Sequence, residues 1–141
     1  CRMPVIGPLL VRGLNGFAWP ATWMAVARPL TLPVKHGFLL PYDSWLNRIA
    51  VLRFVEDIPL EPTHPSRPTL QAIEKDLEKL RGKPMFIAWG MRDFCFSPVY
   101  LAEWRRRFPE ATVREFSDAG HYLLEDAGAE LVQGIGEFLA R

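Results

Sequence analysis

Asp93 and His121 are the residues of this sequence best suited to move a proton together. Each stands in a loop that follows a strand-like stretch. Met85–Trp89 leads into Gly90-Met91-Arg92-Asp93-Phe94-Cys95-Phe96, and Thr112–Phe116 leads into Asp118-Ala119-Gly120-His121. In open parallel sheets functional groups gather beyond the carboxyl ends of the strands, so two neighbouring strands would bring these loops together. An aspartate placed there accepts the Nδ1 proton of the histidine, fixes its tautomer and stabilises the imidazolium formed during proton transfer. The pair is two thirds of a catalytic triad. Cys95 reads as a small buried hydrophobe, Asp118 as a turn organiser, and His36 and His64 as surface residues.

The elements that must hold the pair are legible around it. Leu70, Ile73, Leu77 and Leu80 recur at helical spacing after Pro68, and Gly82 with Pro84 ends that helix. Met85–Trp89 is an unbroken apolar run, the pattern of a parallel strand covered on both faces. Ser97 is expected to cap a helix that begins at Pro98, with Leu101, Trp104 and Phe108 inward and Arg105, Arg106 and Arg107 at the negative end of its dipole. Thr112–Phe116 reads as an edge strand, which completes a right-handed βαβ unit. A last helix carries Leu131, Ile135, Phe138 and Leu139 on one face, and Gly134 and Gly136 are expected to mark close packing.

Composition bounds the rest. The 141 residues are 49% hydrophobic and 23% charged with a net charge of +1, so nothing draws the chain to nucleic acid. No apolar run approaches membrane-spanning length. Cys1 and Cys95 are too few for a zinc site or a disulfide framework, and no secretory leader opens the sequence, so a cytoplasmic protein is expected. No metal or other cofactor is expected. Of the 13 prolines all but Pro84, Pro98 and Pro109 fall between Pro4 and Pro68. The first part is therefore expected to be short helices broken by turns, and a Pro-rich linker near Pro62–Pro68 divides the chain into residues 1–66 and 67–141.

Lys83-Pro-Met-Phe-Ile-Ala-Trp-Gly-Met-Arg-Asp93, Phe108-Pro109 before a short strand, and Asp118-Ala-Gly-His121 before a closing helix resemble the C-terminal part of α/β-hydrolase-fold enzymes. Within that fold the likeness is to haloalkane dehalogenases and olefin-pathway β-lactone decarboxylases. Leu10-Val-Arg-Gly-Leu-Asn-Gly-Phe17, Pro41-Tyr-Asp-Ser-Trp-Leu-Asn-Arg48 and Ile58-Pro59-Leu60 resemble the helical cap of such enzymes. The resemblance implies an α/β fold: residues 1–66 as cap, and residues 67–141 as the C-terminal portion of the core, a βαβ unit plus final helix. It implies Asp93 as the triad acid and His121 as the base, and a nucleophile on a strand-to-helix elbow with Gly-x-nucleophile-x-Gly spacing, which is missing from this chain because no two of its ten glycines stand four apart. His36-Gly37 superficially resembles an oxyanion-hole segment but stands in cap-like sequence, and that role is rejected.

The leading reading is a hydrolase for a hydrophobic small molecule with a carbon–halogen bond or a β-lactone ring, whose pocket draws on Trp19, Trp23, Trp45, Phe94, Phe96 and Leu124. The chain alone is expected to be inactive and to associate with its own N-terminal half or with another copy. The competing readings are a non-catalytic partner-binding module, an esterase, or an epoxide hydrolase. The last is disfavoured because Tyr42 is the one tyrosine of the cap-like region.

Overall fold

The computed structural model describes residues 5–141, so Cys1 lies outside the described residues. The elements follow the chain as α1 (Ile6–Pro8), a π-helical turn (Leu9–Gly13), α2 (Ala18–Met24), α3 (Leu32–Leu39), α4 (Ile49–Asp57), α5 (Arg67–Asp76), β1 (Phe86–Gly90), α6 (Pro98–Arg107), β2 (Thr112–Phe116) and α7 (Leu123–Leu139). Short 3-10 turns follow α3 and α5. No helix among the described residues is long and apolar enough to cross a membrane.

The chain forms two compact units, and their membership departs from a division at 66/67. One holds the residues up to Ala21 and Thr31–Arg81, and the other holds Thr22–Leu30 and Gly82–Arg141. In the first unit the proline-rich sequence leaves α3, α4 and α5 as helices of eight to ten residues joined by turns. Val11, Val51 and Leu52 are its buried centre, with Tyr42 and Ile49 packed on them. Arg48 binds the turns to one another: its Nε donates to the Tyr42 carbonyl at 2.8 Å and its Nη1 to the Arg12 carbonyl at 2.7 Å. Helix α5 forms where the apolar spacing predicts it and ends before Gly82, whose φ of 76° is the left-handed geometry that favours glycine. Its stripe is not buried: Leu70 and Ile73 are exposed.

The second unit is built on the expected βαβ geometry. β1 and β2 pair in parallel from Phe86 with Thr112 to Gly90 with Phe116, and α6 makes the crossover. Pro98 opens α6 with its fixed φ, although the Ser97 side chain makes no capping hydrogen bond, and Leu101 and Phe108 are buried as predicted. Coverage of β1 is less complete than its composition suggests. Ile87 and Gly90 are buried, whereas Phe86, Ala88 and Trp89 are half-buried.

Phe116, Ala119 and Leu131 form the core, with Phe86, Ala88, Leu123 and Ala127 against them. On α7 the buried stripe runs through Leu131 and Gly134 to Phe138, whose ring lies 5.7 Å from that of Phe86. Ile135 and Leu139 do not join it. At about 100° per residue they stand beyond one edge of that stripe, and Leu139 is 76% exposed. Close packing at Gly134 is present, since a Cβ there would meet Arg114 Nη1 at 2.7 Å, but nothing approaches Gly136 within 4 Å.

Candidate active site

The loops after β1 and β2 are joined by their backbones before any side chain is considered. The Met91 N–H donates to the Phe116 carbonyl and the Arg92 N–H to the Ala119 carbonyl, each at 2.9 Å, so the parallel ladder runs on past the strand ends. Gly90 makes this approach possible. A Cβ at that position would stand 2.3 Å from the Gly120 oxygen and 2.7 Å from the Ala119 oxygen.

On this base the Asp93 Oδ2 lies 2.9 Å from the His121 Nδ1. An ionised carboxylate only accepts hydrogen bonds, so the Nδ1 carries the proton and the Nε2 is left as the basic nitrogen. The other oxygen, Oδ1, accepts the N–H groups of Cys95 and Phe96, both at 2.8 Å, which fixes the carboxylate plane. The Asp93 side chain is 10% exposed and that of His121 30%, an acid held away from water beneath a ring that still reaches it.

Aromatic rings surround the imidazole. The Phe96 centroid lies 5.4 Å from the His121 ring, Tyr122 5.9 Å and Phe94 6.4 Å, while Tyr100 meets Phe96 edge-on at 5.6 Å. Trp89 steadies this wall by donating its Nε1–H to the Phe96 carbonyl at 3.0 Å. Of the six candidate pocket residues, Phe94 and Phe96 are thus gathered at His121. Leu124 and Trp23 belong to the same unit and are exposed. Trp19 and Trp45 belong to the other unit, where Lys35 lies over the Trp19 ring and the Arg12 guanidinium over the Trp45 ring.

Asp118 keeps to the turn, in an exposed ion pair with Arg92. Cys95 is exposed rather than buried as its small apolar character suggested, because the loop turns it outward beside the acid. Desolvation and the Asp93 charge push its thiol up, away from the thiolate a nucleophile needs. Asp93, Cys95 and His121 bring one ligand atom each within 4.8 Å of one another, a possible grip for a metal ion. Both carboxylate oxygens are already committed, to two backbone N–H groups and to the imidazole. His64 turns to the backbone instead: its Nε2 lies 3.2 Å from the Glu56 carbonyl and its Nδ1 accepts the Ser66 N–H.

One residue of consequence is missed by the sequence reading. Asp126 is buried at 6% exposure, and its carboxylate accepts the N–H of Gly120, immediately before His121. Its spacing hides it, because Asp126 falls in line with Glu130, Gln133 and Glu137 at i+4, i+7 and i+11, the pattern of a solvated helix face.

Comparison with known proteins identifies the fold. The alpha/beta hydrolase fold family matches residues 34–128. The chain belongs to that family. A Shewanella oneidensis protein named cis-3-alkyl-4-alkyloxetan-2-one decarboxylase is 41% identical over 140 residues, which are 99% of this chain and 44% of the relative. A Xanthomonas campestris protein of the same name is 41% identical over 136 residues, 96% of this chain and 45% of the relative. The chain therefore spans less than half the length of the curated relatives it matches. Among solved structures, the haloalkane dehalogenase DbeA from Bradyrhizobium elkani superposes with a TM-score of 0.82 at 22% identity, covering 99% of this chain and 49% of that one. Its loop variant does so at 0.87 and 21%, covering 99% and 46%. At such identities the likeness speaks for the fold. It fits the expected C-terminal portion of an α/β hydrolase with helices beside a small parallel sheet.

Proposed function

We propose that this chain carries the acid–base pair of an enzyme that acts on a hydrophobic small molecule through a nucleophile–His–Asp triad, with the nucleophile supplied from outside these 141 residues. The observation that carries the reading is the 2.9 Å contact between the Asp93 Oδ2 and the His121 Nδ1 at the ends of paired parallel strands. Asp93 orients the ring and leaves the His121 Nε2 as the proton-exchanging atom beside the nucleophile; in carbon–halogen cleavage it takes a proton from the water that releases the covalent intermediate, whereas a β-lactone that breaks down to alkene and carbon dioxide takes up no water. Residues 1–66 act as the cap of such an enzyme and 67–141 as the C-terminal part of its core. Phe94 and Phe96 supply apolar wall to the substrate site.

The substrate we favour is an alkyl-substituted four-membered lactone. Its support is the 41% identity to two proteins named as decarboxylases of that ring, against 21–22% for the dehalogenase structures. Carbon–halogen cleavage is the second reading, favoured by the superposition on dehalogenases. The test uses the complete polypeptide bearing these residues. Supplied with a cis-dialkyl oxetan-2-one it should release carbon dioxide and leave the alkene, and supplied with a long-chain haloalkane it would release halide if the second reading holds. Supplied with the haloalkane, His121→Ala should still form the covalent intermediate but should retain it, visible as a persistent mass adduct. Ordinary turnover by that variant would remove His121 from the reaction.

A further inference from the structure

Asp126 lies among backbone donors from two distant stretches of chain. Its Oδ2 accepts the Gly120 N–H at 2.7 Å and the Ala27 N–H at 2.8 Å, and its Oδ1 accepts the Arg28 N–H at 3.0 Å with a second approach from Ala27 at 3.1 Å. On the far side of His121, the Tyr122 N–H donates to the Ala25 carbonyl at 2.7 Å. The peptide that follows His121 is therefore anchored to Ala25 directly, and the Ala119–Gly120 peptide, one residue before it, is anchored to residues 27–28 through Asp126. The fit leaves no slack: a Cβ on Gly120 would stand 2.9 Å from the Ala25 oxygen. Helix α7 is interrupted immediately after the acid, where Ala127 takes φ −141° and ψ 31°, so the first helical turn is shaped around the carboxylate rather than continuous with the rest.

A carboxylate is suited to this place because three N–H groups converge on it and it offers acceptors on both oxygens. Asparagine could serve one side only, and its amide would face a donor on the other. We propose that Asp126 is a positioning residue for His121: it ties the Ala119–Gly120 peptide, one residue before the base, to residues 27–28 and so holds the imidazole against Asp93. This rests on the reading of His121 as the base, and it adds a residue that touches neither substrate nor the imidazole.

The test is Asp126→Asn in the complete polypeptide, read three ways. Because a displaced base impairs the chemical step more than substrate capture, kcat should fall about 10- to 100-fold with KM changed less than about twofold. The 15N shifts of the His121 ring, measured without substrate, should show loss of the Nδ1-protonated tautomer that Asp93 selects. Amide exchange at Gly120 should accelerate. A folded variant with wild-type kcat and unchanged ring shifts overturns the proposal, as does a fall in kcat matched only by loss of folded protein. If the variant does not fold, the wild-type protein decides. Gly120, Ala27 and Arg28 amides should be protected together, and exchange of Gly120 at the rate of a free loop amide overturns the proposal. The ring shifts and exchange need no turnover, so failure of the His121 reaction assignment is seen separately, in undiminished turnover by His121→Ala.

Discussion

Replacing Asp93 by asparagine separates what its two oxygens do. The carbonyl of asparagine can stand where Oδ1 now accepts the Cys95 and Phe96 N–H groups at 2.8 Å, so the turn survives. The amide then faces the His121 Nδ1, which is 2.9 Å from Oδ2 in the native pair, and two donors oppose each other. The ring responds by moving its proton to Nε2, the nitrogen that the reaction needs as a base. The stability cost is one charge-assisted hydrogen bond, worth about 1.5 kcal/mol at the low end of its range because the imidazole reaches solvent. Asp93→Ala loses the same bond and also strands two N–H groups, for about 2–4 kcal/mol in all. Activity follows a different scale. A wrong tautomer costs about 10⁴-fold in kcat, which corresponds to about 5.4 kcal/mol of transition-state stabilisation. Urea unfolding of both variants, kcat of the complete enzyme and 15N shifts of the ring provide the comparison. The reasoning fails if Asn turns over within tenfold of the native protein, or if it is destabilised as much as Ala.

Two glycines should respond oppositely to the same change. Gly90→Ala forces backbone apart where the Gly120 oxygen lies 2.3 Å from the new Cβ, and should cost about 1–3 kcal/mol in thermal or urea unfolding. Gly136→Ala meets nothing within 4 Å and should add about 0.5–1 kcal/mol of stability. Hydrogen bonds from Arg106 and Arg107 hold the Glu103 carboxyl down at about 2, well below the usual carboxylate range, so its contribution is present above that range and is lost as pH falls toward 2. NMR titration of Glu103 should show that low midpoint, and Glu103→Gln should flatten the acid limb of the stability profile. Among the described residues β1 pairs with β2 alone, which leaves its other edge open for strand pairing. Light scattering of the isolated chain at micromolar concentration should show association, and a cooperative 16.1 kDa monomer would contradict this.

The site was legible where local chemistry and topology agree. The Asp93 and His121 loops follow strands whose only economical connection is a parallel crossover, and that alone brings them to one edge. The face of α7 was legible in part, because Leu131 and Phe138 obey the helical period while the close contact of Gly134 with Arg114 and Phe86 sets which side turns inward. Asp126 was not legible, since its partners at residues 27 and 28 are backbone N–H groups, which no residue type announces. The placing of Thr22–Leu30 with the C-terminal unit escapes for the same reason: its ties are made by peptide groups rather than by an apolar pattern.

Those ties have a consequence in the order of synthesis. Ala27 and Asp126 are 99 residues apart in the chain. At about 5–20 residues per second, residues 25–28 wait roughly 5–20 s on the ribosome before the carboxylate that binds them has been made. For that interval their amides are answered by water or by a chaperone. Closing so long a loop comes late and makes the His121 loop among the last parts of the unit to be secured.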